Sequence, residues 1–401
     1  MKTHREDKPH IGFFGRCNVG KSTIINLLTG QDTAIVSPLK GTTTDVVKKT
    51  MELFQVGAVT LIDTAGIDDE SILAKERQRK TLEATTLVDM AVMVLSDNIF
   101  GESEMQLIQQ FKQLHLPYVI VYNKQDIFPI SQTTLYAIES TSAPYIITSN
   151  SQKNSKEQIT SLIKANLPNT AYENKHILQG IIQSKDIVLL VTPIDSSAPK
   201  GRLILPQVKM IREVLDSYAI CIVVQPSELD YVLNIKHILP KLVITDSQAF
   251  KEVDSMVPTN IHLTSFSILL AKEKGAFEDY LRGTPTLDNL QDGDKIIMLE
   301  SCTHQPTCED IGRVKLPKMI EKYSHKKLQF TILPGLTPIT DDPKQYKLVI
   351  QCGGCVSTYQ QIHSHLQPFI QAGVPITNYG MAIAYVNGIF NRACEIFFNN
   401  N

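Results

Sequence analysis

The chain has no long apolar run, no excess of either charge and few cysteines, and each lack removes a class of protein. Its longest apolar stretches, Asp89–Leu95 and Asp186–Thr192, fall far short of the roughly 20 residues of a membrane-spanning helix. Lys and Arg number 39 against 41 Asp and Glu, a formal net charge of −2. No broad attraction for nucleic acid or an anionic membrane is therefore expected. Seven cysteines, at 17, 221, 302, 308, 352, 355 and 394, are too scattered for a disulfide scaffold in 401 residues. A reduced, cytoplasmic chain is the expectation. Met1–Pro9 is charged and leads straight into a candidate strand, so no secretory signal is read there. What is present is a 43% hydrophobic composition, enough to bury a sizeable core over two or three domains.

Three sections follow one another. In the first, His10–Phe14, Ala58–Asp63, Met90–Ser96, Tyr118–Tyr122 and Tyr145–Thr148 read as strands between helical stretches. Short apolar runs of this kind predict a parallel sheet covered on both faces. Leu167–Asn174 reads as the exit from that domain. The second section repeats an α/β pattern. Its strands are Asp186–Thr192, Ala219–Gln225, Leu242–Asp246 and Asn260–Thr264, and its amphipathic stretches Leu205–Tyr218, Glu228–Ile238 and Gln248–Val257. It carries no phosphate loop and reads as a structural or oligomerising domain. The third has strands at Lys295–Leu299 and Lys347–Ile350, then an apolar helical region, Gln361–Phe398, broken at Gly373–Pro375 and Gly380. The expected domains are 1–170, 171–270 and 271–401.

Chemistry concentrates in the first section. Gly15-Arg-Cys-Asn-Val-Gly-Lys-Ser22 is a phosphate-binding loop between a strand and a helix. Gly15, Asn18, Val19, Gly20, Lys21, Ser22 and Thr23 are the candidate phosphate-binding residues. Glycines let backbone N–H groups turn onto phosphate oxygens, and the helix N-terminus adds partial positive charge. Lys21 is expected on the β- and γ-phosphates and Ser22 on magnesium. In Asp63-Thr-Ala-Gly66, Asp63 is expected to hold magnesium through water and Gly66 N–H to sense the γ-phosphate. Asn123-Lys-Gln-Asp126 selects guanine: a buried Asp126 carboxylate would accept from N1–H and the 2-amino group, and adenine would leave it unpaired. Lys124 is expected over the base, Asn123 ties the loop, and Ser149–Asn150 offers a backbone N–H to the guanine oxygen. In Gly41-Thr-Thr-Thr-Asp45, Thr43, or else Thr42, would complete magnesium coordination when γ-phosphate is bound. GTP and GDP, with magnesium, are thus the expected ligands.

These motifs resemble the TrmE/Era-type GTPases, whose loop reads G-R-P-N-V-G-K-S and whose switch reads G-T-T-R-D. Here Cys17 replaces the proline and Thr44 the arginine. The resemblance implies that Asn18 helps bind potassium beside the phosphates. Ile67 stands where Ras-like GTPases place a water-orienting glutamine. Slow, potassium-stimulated hydrolysis is the expectation, with Asp68, Asp69, Glu70 and Glu76 as candidate water-orienting groups.

The third section supplies a second constellation. Cys302-Thr-His304 follows one strand and Cys352-Gly-Gly-Cys355 another. Residues i and i+2 of extended chain face one way, and C-x-x-C lets two thiolates share one centre. Three cysteines fit a 4Fe-4S cluster with one open iron. Cys₃His zinc, with His304 as fourth ligand, fits the spacing as well, and plain redox cysteines are a third reading.

With the GTPase motifs and the Asn378-Tyr-Gly380 run, this resembles the HydF family of FeFe-hydrogenase maturation GTPases over essentially the full chain. The family pattern is C-x-H, about fifty residues, then H-C-x-x-C; here Gln351 stands at the second histidine position. Water, His304, Glu300, Glu309 or Asp310 then remain for the fourth ligand position, and Cys308 is an alternative ligand. The resemblance implies an α/β architecture of three parts: a P-loop GTPase domain, a dimerisation domain and a C-terminal 4Fe-4S domain bound by Cys302, Cys352 and Cys355. It further implies a homodimer or dimer of dimers that carries a two-iron precursor from radical-SAM maturases to apo FeFe-hydrogenase. The alternative reading is a ribosome- or RNA-associated GTPase with a structural zinc.

Overall fold

The computed structural model describes residues 8–30, 47–53, 57–67, 81, 83–149, 151–152, 154–168, 176–194, 201, 203–301, 311–337 and 339–398. The chain divides into two compact units. One is Met1–Glu173 with Thr358–Gln367, the other Asn174–Ser357 with Pro368–Asn401.

The first unit holds one sheet. Its strands are β1 (His10–Phe14), β2 (Val47–Leu53), β3 (Gly57–Asp63), β4 (Met90–Leu95), β5 (Tyr118–Tyr122) and β6 (Tyr145–Ile147), ordered β2-β3-β1-β4-β5-β6. Every residue of β4 is buried, because successive side chains enter opposite, equally covered faces. Ile11, Phe13, Val92 and Val121 pack with Ile24 and Ile159 on one face; Phe14, Met93 and Ile120 pack with Phe111 and Ile138 on the other. The expectation of a parallel sheet needs one correction. β2, absent from the expected strands, pairs antiparallel with β3, Val47 opposite Asp63 and Leu53 opposite Gly57. Three residues separate the two strands, enough for a hairpin and too few for a parallel crossover.

The Thr358–Gln367 segment completes this unit. Thr358 Oγ1 donates to the Asp89 carboxylate at 2.5 Å, and Gln361 Nε2 to the Leu87 carbonyl at 2.8 Å. Asp89, fully buried, also accepts the His10 N–H at 2.7 Å. Two donors thereby satisfy a carboxylate that would otherwise be costly to bury at the start of β1 and β4.

The second unit contains two four-stranded parallel sheets. β7 (Ile187–Val191), β8 (Ile220–Val224), β9 (Leu242–Thr245) and β10 (His262–Ser265) are ordered β10-β9-β7-β8. β11 (Lys295–Leu299), β12 (Gln329–Leu333), β13 (Leu348–Gln351) and β14 (Ile376–Asn378) are ordered β12-β11-β13-β14. The amphipathic stretch Glu228–Ile238 is a short 3₁₀ turn at Pro226–Glu228 and one π turn at Tyr231–Ile235 instead of a continuous helix. The C-terminal helical region also differs from expectation. It begins with helix Tyr359–Gln371, and Gly373 at φ +71° leads into strand β14. Gly380 breaks nothing: it lies inside helix Tyr379–Val386, where a Cβ would stand 2.8 Å from the Ser267 Cβ. That close approach, not a need to end a helix, explains the glycine. Among the described residues, no helix is long and apolar enough to cross a membrane.

Candidate nucleotide site and cysteine turn

The phosphate loop joins β1 to helix Lys21–Thr29. Gly15 has φ +142° and Gly20 φ +100°, and a Cβ on Gly15 would meet the Val94 carbonyl oxygen at 2.2 Å. Only glycine fits there. Asn18, also left-handed at φ +62°, is exposed on the loop. Lys21 is buried, its ammonium donating to the Gly15 and Arg16 carbonyls at 2.9 and 2.7 Å.

The end of β3 faces this loop. Ser22 Oγ donates to Asp63 Oδ2 at 2.5 Å, while Asp63 Oδ1 is buried with no partner among the described residues. Burial pushes the Asp63 carboxyl above its ordinary range, against the lowering effects of Ser22, Lys21 and Lys49. A hydroxyl–carboxylate pair at the mouth of the loop, with its second carboxylate oxygen buried, fits a hard divalent cation, which would satisfy that oxygen and reverse the shift. Gly66 lies against the loop, since a Cβ there would meet Cys17 Sγ at 2.2 Å. Ile67 packs into the apolar cluster beside Phe14 and Ile62. Thr42, Thr43 and the acidic groups Asp68, Asp69, Glu70 and Glu76 lie outside the described residues.

The base-recognition segment follows β5. Asn123 is fully buried and its Nδ2 donates to the Val19 carbonyl at 3.0 Å, tying this loop to the phosphate loop. Lys124 turns at φ +60°, and Gln125 N–H donates to the Thr148 carbonyl at 3.2 Å. Asp126 accepts from Ser151 Oγ at 2.7 Å, which holds its carboxyl below the usual range. The expectation of a buried Asp126 is corrected: the carboxylate is exposed, so a base stacked on the loop would itself have to exclude water from it. Ser149 is buried beside it, whereas Asn150 lies outside the described residues.

The cysteine turn sits at the end of β13. β11 and β13 run parallel with Leu299 beside Gln351, so the Cys352 N–H reaches the Leu299 carbonyl at 2.9 Å. Gly354 takes φ +64°, giving the tight turn that C-x-x-C chelation needs. The Ser301 N–H donates to Cys352 Sγ at 3.1 Å. Gly353 and Cys355 border a cavity of about 190 Å³ whose wall includes Asp246, Gln248, Ser267 and Tyr379. A backbone donor on one sulfur and a cavity bordered by the second cysteine suit a thiolate-bound centre. Glu300 is committed elsewhere, paired in two-point fashion with Arg313 at 2.7 and 3.1 Å. Among the described residues no three His, Cys, Asp or Glu side chains gather as a metal site. Cys302, His304, Cys308, Glu309 and Asp310 lie outside them.

Comparison with known proteins resolves the lineage. Residues 10–124 match the 50S ribosome-binding GTPase family, 177–275 the hydrogen maturase F dimerization domain, and 278–396 the hydrogen maturase F tetramerization domain. The chain belongs to the hydrogen maturase F (HydF) family. Its N-terminal part is a P-loop GTPase domain. Among curated proteins it is 29% identical over 202 residues to the tRNA modification GTPase MnmE of Helicobacter acinonychis, covering 48% of this chain and 44% of that one. It is 35% identical over 113 residues to GTPase Der of Campylobacter hominis, covering 28% and 24%. The chain thus spans less than half the length of these relatives. Among solved structures, Era of Aquifex aeolicus bound to GDP·AlF4− is 18% identical, covering 54% of this chain and 92% of that one with a TM-score of 0.34.

Two features of the HydF chain escaped the sequence reading. Arg16, inside the phosphate loop, is gripped by the buried Glu104, Nε to Oε1 at 2.6 Å and a terminal nitrogen to Oε2 at 3.2 Å. Glu104 also accepts the Gly101 N–H at 2.8 Å, and the spacing Gly101-x-x-Glu104 at a helix start was the available signal. Asn378 was singled out without a role. Its Nδ2 donates to the Gln351 carbonyl at 3.3 Å while its Oδ1 caps Gly380 N–H at 2.8 Å, so it clamps the backbone next to Cys352.

Proposed function

We propose that the chain is a cytoplasmic GTPase and iron–sulfur scaffold that delivers the two-iron subcluster precursor to apo FeFe-hydrogenase during its maturation. The observation that carries the reading is a glycine-shaped C-x-x-C turn, beside an open cavity, in a chain whose other parts are a P-loop GTPase domain and the two hydrogen maturase F oligomerisation domains.

In this reading the Gly15–Thr23 loop wraps the phosphates and Lys21 moves from its two carbonyls to phosphate oxygens. Ser22, Asp63 and Thr43 hold magnesium, and Asn18 a potassium ion; these cations supply charge stabilisation at the phosphates. Gly66 N–H contacts the γ-phosphate. Asn123, Lys124, Asp126 and the Ser149–Asn150 backbone hold guanine. Ile67 brings no polar group to the attacking water, so hydrolysis is slow and potassium-stimulated. Cys302, Cys352 and Cys355 ligate a 4Fe-4S cluster with one exchangeable position, filled by water, His304 or a carboxylate other than the Arg313-bound Glu300. Such a position is what a carrier of a second metal fragment needs. Nucleotide state biases association with radical-SAM maturases and the hydrogenase and leaves the cluster chemistry to the C-terminal part. Domain limits of 1–170, 171–270 and 271–401 go with this assignment. A homodimer through the 171–270 domain is supported by β8, an edge strand that exposes Ile220 and Val223 beside exposed Tyr218 and Leu215.

The test is anaerobic reconstitution with iron and sulfide, followed by metal analysis, EPR and activation of apo-hydrogenase by the loaded protein. Stoichiometric zinc without a cluster would refute the scaffold reading. Cys302→Ala, Cys352→Ala or Cys355→Ala is expected to abolish the cluster and leave GTP binding intact.

A further inference from the structure

One sulfur of the cysteine turn sits in a built polar environment. Besides the Ser301 N–H, Cys352 Sγ has the Ser301 hydroxyl at 3.2 Å and the Gln351 amide nitrogen at 3.7 Å. Gln351 Nε2 also donates to that same hydroxyl at 2.8 Å. As a thiol, Cys352 donates to that hydroxyl. Once metal binding removes the thiol proton, the Ser301 hydroxyl, still accepting from the Gln351 amide, can turn its own proton to the ionised sulfur. The result is a short chain, amide to hydroxyl to sulfur, in which each bond polarises the next.

The arrangement is not a by-product of packing. Gln351 is 1% exposed and its Oε1 has no partner among the described residues, a cost an apolar residue at this strand end would avoid. Its preceding neighbours on β13, Leu348, Val349 and Ile350, are all apolar and fully buried. The backbone around it is pinned from two sides, by Asn378 on the Gln351 carbonyl and by the Leu299 carbonyl on Cys352 N–H.

We infer that Gln351 and Ser301 form a hydrogen-bonding cradle that orients the Cys352 sulfur and raises the reduction potential of the iron–sulfur cluster it ligates. Gln351 is thus a positioning residue and not a ligand. The inference rests on the iron–sulfur reading above. Reduction adds negative charge to the cluster and its sulfurs. Donors aimed at a ligating sulfur therefore stabilise the reduced form more than the oxidised form.

The experiment uses the full chain, reconstituted anaerobically, as wild type, Gln351→Met, Ser301→Ala and the double variant. EPR-monitored redox titration gives the midpoint potential, and iron release to a ferrous chelator gives cluster lifetime. Both single variants are expected to titrate at lower potential and to lose iron several-fold faster, with GTP hydrolysis unchanged. Because Gln351 acts through Ser301, the double variant should fall less than the sum of the singles. Ser301→Ala keeps the backbone N–H and removes only the hydroxyl, so it still decides the matter should Gln351→Met fail to fold. Full cluster occupancy with an unshifted potential and unchanged iron release in both singles overturns this inference alone. A wild-type chain that assembles no cluster overturns the proposed function and the cradle with it.

Discussion

Replacing Asn123 tests whether the base loop and the phosphate loop act as one piece. The Asn123 side chain is fully buried and its Nδ2 donates to the Val19 carbonyl at 3.0 Å, while its Oδ1 has no partner among the described residues. Asn123→Ala removes one buried hydrogen bond and strands the Val19 acceptor, a loss of about 1–3 kcal/mol. Part is recovered because the unpartnered Oδ1 disappears as well, so about 2 kcal/mol is the working figure. For a unit of this size that lowers the melting temperature by about 4–8 °C. The ligand must then order the loop itself, so affinity for a fluorescent GDP analogue falls by up to about 30-fold, at 1.4 kcal/mol per tenfold. Asn123→Asp discriminates further. It keeps the shape but turns an acceptor toward the Val19 carbonyl, so it should be worse than alanine in both assays. Calorimetry and nucleotide titration on the three proteins give the answer. An Asn123→Ala chain with wild-type melting and wild-type affinity would refute the tie between the loops.

Asp126→Asn keeps an acceptor for Ser151 Oγ but loses the paired guanine contacts, so the chain should prefer xanthosine over guanosine nucleotides in competition binding. Burial raises the Asp63 carboxyl, so its contribution to the stability of the ligand-free protein is complete below the ordinary carboxylate range and lost as pH rises through the raised value. Asp63→Asn should therefore melt higher than wild type at pH 7 without nucleotide, converge with it near pH 4, and lose magnesium-dependent GTP binding. Thr358→Val removes the side-chain hydroxyl donor from the buried Asp89, which should cost the first unit about 1–3 kcal/mol in chemical denaturation, with Asp89→Asn in the same background restoring part of it.

The nucleotide-binding half of the fold was legible because its signals are local. A strand, a G-x-x-x-x-G-K-S loop and a helix follow within twenty residues, and apolar runs such as Met90–Leu95 name buried parallel strands directly. β2 was missed because Val47-Lys-Lys-Thr-Met-Glu-Leu53 is an edge strand whose charges blunt its pattern. β12 and β14 were missed for related reasons: the first is a half-exposed edge and the second has three residues. Helix Glu228–Ile238 failed because its apolar spacing says nothing about whether its turns close.

What the sequence by itself determined is which chemical groups the chain owns and which neighbours along the chain share a turn. Lys21 beside Ser22, Asn123 near Asp126, and Cys352 three residues before Cys355 are fixed by the order of the chain. The tertiary structure decided what those groups face. It set the Ser22 hydroxyl on Asp63 with the other carboxylate oxygen buried, and left Asp126 exposed where burial was expected. It gave Arg16 to Glu104 and Glu300 to Arg313, and laid Ser301 and Gln351 against the Cys352 sulfur. The reason is physical. Residue type sets what a side chain can donate or accept, but desolvation and hydrogen-bond partnership come from segments remote in sequence, which meet only when strands such as β11 and β13 pair in register.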